Sequence, residues 1–168
     1  MNYEARRNSI LEQMAEDSLL ILYSGAPAHI SADAYYMFEA NRHFFYLTGL
    51  RRENMVLLMR KSPENSRVTL YIEKADPQAE RWTGKMVTVE EAKELSGIQD
   101  VRFVDRFDGE VNYLLNGSTI STCYFDCHRN QPKDLPDYNL FKAQQFAADH
   151  PGITLRYLWP MASLLRMR

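Results

Sequence analysis

"NMVLLMRKSPENSRVTLYIE", residues 54–73, sets two apolar runs on either side of a short polar segment, Lys61 to Ser66. Pro63, Asn65 and Ser66 are turn formers, so the two runs read as an antiparallel hairpin. A parallel pair would need a longer crossover between them. On both sides of this hairpin, strand-like and helix-like segments alternate. Upstream, residues 3–16 place Ile10, Leu11 and Met14 at helical spacing among charges, and "SLLILYSG" follows as a short buried strand ended by Gly25. Downstream, "TVEEAKELSG" reads as a helix capped by Thr88, with Glu91 reaching back and Gly97 as its left-handed exit. "DVRFV" is then a strand, "FDGEVNYLLNG" a helix despite Gly109, and "TISTCYF" a strand rich in β-branched and aromatic residues. "YNLFKAQQFAAD" is a helix that stops before Pro151, and "ITLRYL" a last strand. One hairpin within an alternating series predicts a mixed β-sheet flanked by helices, an α/β fold.

The chain has 168 residues, 45% hydrophobic and 25% charged, the range of one globular domain with a full core. Its 20 basic residues against 22 acidic ones leave a net charge of −2, so no polyanion-binding field is implied and nucleic acid is not an expected partner. The N-terminal stretch carries Glu4, Arg6 and Arg7 where a secretory signal needs apolar residues, and no apolar run approaches the ~18 residues of a membrane helix. Two cysteines suit a reducing compartment better than a disulfide framework. These features predict a cytoplasmic protein without a membrane partner. The tail "WPMASLLRMR" begins an apolar helical repeat at Pro160, Met161, Leu164 and Leu165; such a short helix must dock on the domain or belong to a longer one.

Chemistry is sparse. Cys123, Cys127 and His128 are of zinc-ligand type, but four residues of strand span ~13 Å, too far for two sulfurs to share one ion or a disulfide. Buried thiols are the simpler reading. His29, His43 and His150 have no ligand partner at useful spacing. Asp126 and His128 stand two apart at a strand end and could pair as acid and base, although a strand-end pair is more often plain solvation. No nucleophile elbow or glycine-rich phosphate loop is present.

The segment "EANRHFFYLTGLRRENMVLLM", residues 39–59, carries more information. Phe44, Phe45, Tyr46 and Leu47 follow a polar Asn-Arg-His and end at Gly49, the pattern of a short helix packing an aromatic side beneath the sheet before Gly49 turns the chain. Tyr36, Phe38, Asn41, Phe44, Phe45, Tyr46, Leu47, Thr48 and Gly49 together resemble a segment of the creatinase, prolidase and aminopeptidase P family, and its aminopeptidase P branch most of all. "DPQAERWTGK" resembles a second family segment through Asp76, Pro77, Glu80, Trp82 and Gly84, with Lys85 where Arg is usual. The opening helix "ARRNSILEQM" and the tail "MASLLRMR", similar to the start of the family's linker helix, match in order.

The resemblance implies an N-terminal domain over residues 1–158 with a ribonuclease H-like motif, and the start of a linker helix over 159–168. It also implies a C-terminal pita-bread domain, absent here, that holds two Mn2+ ions and hydrolyses the bond before a penultimate proline. In that setting this chain is an accessory, non-catalytic domain, inactive alone. Its expected partners are its own catalytic domain, proline-containing peptides and further copies in a homo-oligomer. Trp82 is then the candidate substrate-binding residue, a flat apolar wall at the rim of the cleft, as against an ordinary packed or interfacial tryptophan. His43 is a second candidate: relatives commonly carry Ser-Asp where this sequence has Arg42-His43, which replaces a carboxylate by a titratable base. Two alternatives stay open. One is a free-standing binding or oligomerisation module, as in relatives that no longer cleave. The other is the same domain of an Xaa-Pro dipeptidase.

Overall fold

The computed structural model describes residues 2–127, 131, 133 and 137–166, the last three by their backbone alone. In chain order the elements are α1 (Tyr3–Gln13), β1 (Ser18–Tyr23), α2 (Arg42–Thr48), β2 (Val56–Lys61), β3 (Arg67–Ile72), α3 (Pro77–Thr83), α4 (Val89–Ser96), β4 (Asp100–Phe103), α5 (Phe107–Gly117), β5 (Thr122–Phe125), α6 (Tyr138–Asp149), β6 (Thr154–Tyr157) and α7 (Trp159–Arg166). The strands form one sheet in the order β4-β3-β2-β1-β5-β6. β2 runs antiparallel to both neighbours, β1 and β3, while the pairs β1–β5, β3–β4 and β5–β6 are parallel. The hairpin read from residues 54–73 is present and reverses one strand in an otherwise parallel sheet.

β1 lies at the centre, and its unbroken apolar run is buried along nearly its whole length, as a strand covered on both faces requires. Side chains alternate between two cores. Leu20, Leu22, Leu57, Met59, Leu70 and Ile72 face one, which α1, α2, α4 and α7 cover. Leu19, Ile21, Leu58, Tyr71, Cys123 and Phe125 face the other, under α5 and α6. The molecule is therefore three-layered, helices on a mixed sheet on helices.

Local signals place the helices. Thr88 and Glu91 form a reciprocal capping box at the start of α4, and Gly97 closes it at φ 72°. Asn41 caps α2 by accepting from His43 N and Phe44 N, both at 2.9 Å. Gly49 ends α2 at φ 75°, and a Cβ there would lie 2.6 Å from the Tyr3 ring, so both backbone and space require glycine. Arg7, buried in α1, donates from Nη1 to Leu47 O at 2.7 Å and to Ser96 O at 2.9 Å, placing one cation at the negative ends of α2 and α4.

The aromatic run of α2 divides. Phe44 and Leu47, one turn apart, are fully buried, whereas Phe45 and Tyr46 are half-buried on its flank. A seven-residue helix presents only one side to the sheet, so the run is less completely core than the sequence implies. α3 has no counterpart among the elements predicted from the apolar pattern, because none of its residues is buried. α7 packs back on the sheet: Met161 and Ala162, with Leu158 just before the helix, join Ile10 of α1 and Met14 at its end in the first core. Among the described residues no helix is long and apolar enough to cross a membrane.

Candidate functional site at the carboxyl end of the sheet

β1, β3 and β5 end on one side of the sheet, where β2 begins, and Asn41, His43 and Asp126 meet at the loops of that side. The segment after β1 returns through Asn41, whose N–H donates to Ser24 O at 2.9 Å. Asn41 then performs two tasks with one side chain. Its oxygen caps α2, and its Nδ2 donates to Asp126 Oδ2 at 2.7 Å. Asp126, just beyond β5 and fully buried, meets the His43 imidazole through its other oxygen, with Nδ1 and Oδ1 2.9 Å apart.

His43 is itself only 5% exposed. The structure thus places it within an Asn41–Asp126–His43 cluster, half-buried at Asn41 and buried at the other two, that ties the start of α2 to the end of β5. Sequence inspection did not connect Asp126 with His43, because the two are 83 positions apart and only the parallel pairing of β1 with β5 brings them together. His128, the partner considered for Asp126 and for the cysteine pair, lies outside the described residues.

Trp82 occupies a different setting. Asp76 caps α3 by accepting from Gln78 N at 2.9 Å, Pro77 starts the helix, and Gly84 ends it at φ 82°. Beyond α3, Glu80 Oε1 accepts from Met86 N at 2.9 Å and Lys85 O accepts from Arg52 at 2.7 Å, so the segment is held by its ends. Trp82 is 91% exposed, a large apolar ring with no part in the core. The structure does not bring His43 and Trp82 into contact through any described hydrogen bond or ring pair.

The cysteines are inert by environment. Both are buried and free; burial, with Asp126 and Asp137 nearby, pushes the Cys127 thiol up to about 12, and burial alone raises that of Cys123. Among the described residues no group of three or more His, Cys, Asp or Glu is placed to hold a metal ion.

Comparison with known proteins resolves what this geometry belongs to. The family model described as aminopeptidase P, N-terminal domain, matches residues 3–124, which include both His43 and Trp82. This chain belongs to the aminopeptidase P N-terminal domain family. An Xaa-Pro aminopeptidase of Haemophilus influenzae is 29% identical over 117 residues, 70% of this chain and 27% of the relative. An Xaa-Pro aminopeptidase of Escherichia coli is 28% identical over 116 residues, 68% of this chain and 26% of the relative. Among solved structures, a protein assigned as an aminopeptidase P from Bacillus anthracis superposes with a TM-score of 0.91 at 31% identity, covering 98% of this chain and 39% of that one. The chain spans about a quarter of the length of these curated relatives. The mixed sheet and its flanking helices thus share the fold of aminopeptidase P structures.

Proposed function

We propose that this chain acts as the accessory N-terminal domain of an Xaa-Pro aminopeptidase, with the hydrolytic chemistry carried by a separate catalytic domain. The supporting observation is the family match over residues 3–124 combined with a span of 27% of a relative named for that activity. In this reading residues 1–158 form the domain and α7 begins the linker to its catalytic partner. The catalytic domain is a manganese peptidase located in the cytoplasm, the isolated chain is inactive, and copies of the domain assemble into a homo-oligomer.

Trp82 then supplies an apolar wall at the rim of the substrate cleft, for which its 91% exposure on a helix held only at its ends is the physical argument. His43 acts by orientation: held on Asp126, it sets the start of α2 and the loops beside it. The test is manganese-dependent release of the N-terminal residue from an Xaa-Pro-Xaa tripeptide, comparing this chain with a longer product of the same reading frame. Activity confined to the longer product is expected; inactivity of both overturns the reading in favour of a binding module. In an active longer product, Trp82→Ala is expected to raise KM on extended peptides with an unchanged unfolding midpoint, and an unchanged KM removes Trp82 from the rim.

A further inference from the structure

A groove of about 610 Å³ runs along the outer flank of α2, next to α1. Its floor is aromatic: Phe38, Phe45 and Tyr46 line it, each only partly buried. Its walls are arginine. The Arg6 guanidinium lies 4.0 Å from the Tyr46 ring centre, and that of Arg51 lies 4.2 Å from Phe45. Arg42 stands at the first turn of α2. Against these three positive charges the lining holds one carboxylate, Glu39, so the groove carries 3 − 1 = +2 in a chain of net charge −2.

Acidic partners neutralise some of the chain's other cations. Lys61, Arg67, Lys74, Lys85 and Arg102 each meet an acidic side chain within salt-bridge distance. Among the described residues Arg6, Arg42 and Arg51 form none; Arg6 spends one Nη1 hydrogen on Tyr46 O at 3.0 Å. Stacking holds a guanidinium plane flat against a ring while its edge N–H groups stay open, which lowers the entropy lost when they grip a carboxylate bidentately.

We propose that this groove binds an acidic peptide segment, its carboxylates on Arg42, Arg51 and the free edge of Arg6, and an apolar side chain on the floor formed by Phe38 and Phe45. A nucleic acid fits less well, since phosphate tracking needs a basic field extending past the contact, whereas this chain is acidic overall and places Glu39 inside the groove. The proposal is independent of the peptidase reading, because it needs neither a catalytic domain nor a metal.

The experiment is calorimetric titration of the chain with acetylated, amidated Glu-Glu-Phe-Glu-Glu. The comparison ligands are the same peptide with every Glu replaced by Gln and an oligothymidylate of equal charge. The acidic peptide is expected to bind, with affinity falling as NaCl rises from about 50 to about 300 mM. Arg42→Gln with Arg51→Gln, both exposed positions, is expected to weaken it about tenfold, and Glu39→Gln to tighten it severalfold. Absence of binding overturns the proposal, as do equal affinity for the Gln peptide, tighter binding of the oligonucleotide, or an unchanged affinity in both variants. Far-UV circular dichroism of each variant confirms that the fold is retained, and the Glu39→Gln result decides the matter if the arginine variant fails to fold.

Discussion

Asp126 concentrates the most consequential chemistry at the scale of a single residue. Its two oxygens serve Asn41 and His43, so truncation would leave a half-buried amide and a buried imidazole without that partner. Asp126→Ala is expected to cost about 3 kcal/mol in urea unfolding, since removing one member of a buried hydrogen-bonded pair leaves the other uncompensated. An unchanged midpoint would show that the cluster contributes nothing net. Cys127 gives a pH-dependent counterpart. Burial first, then Asp126 and Asp137, raises its thiol from 9.0 to about 12. The folded chain therefore keeps a proton that the unfolded chain releases, and the associated stability is full below pH 9 and is lost as pH rises from 9 towards 12. At about pH 8 its alkylation should be far slower in the folded chain than in denaturant, as a thiolate is the nucleophile. Equal rates would mean that the burial is not maintained in solution.

At the scale of elements, the helices divide by what holds them. α4 rests on a capping box, with Thr88 N donating to Glu91 Oε2 at 2.9 Å and Glu91 N to Thr88 Oγ1 at 3.2 Å. Thr88→Ala is expected to lower stability by about 1 kcal/mol, read as a shift in thermal midpoint, while Thr88→Ser should recover most of it. This helix was legible because its signals are local and adjacent. α3 was not, since a helix without a buried residue leaves no apolar period, although Asp76, Pro77 and Gly84 carry the cap, first-turn and exit signals that could have revealed it. α5 is fastened to the sheet by charge as well as packing: Arg102 bridges Asp100 at 2.9 Å and Glu110 at 2.8 Å, and Tyr71 donates to Glu110.

For the whole molecule, the two cores on opposite faces of one sheet explain why α7 is part of the fold. Met161 and Ala162 close the first core against α1, with Ala162 fully buried. Ala162→Asp, which forces an unpaired carboxylate into that contact, is expected to lower the thermal midpoint by several degrees. An unaltered midpoint would indicate that α7 is not docked in solution. Legible in the amino-acid order alone were the alternation of strands and helices, the hairpin at residues 54–73, the exit of α2 at Gly49, the caps of α4 and the family resemblance carried by residues 36–49 and 76–84. Each of these is written in neighbouring residues, through apolar period, turn chemistry and capping. The union of Asn41 and His43 with Asp126, the full exposure of Trp82, and the gathering of Arg6, Arg42 and Arg51 around one aromatic floor were decided only by tertiary structure. They depend on which distant strands pair and which flank of a helix the sheet covers, relations that no local pattern of side chains encodes.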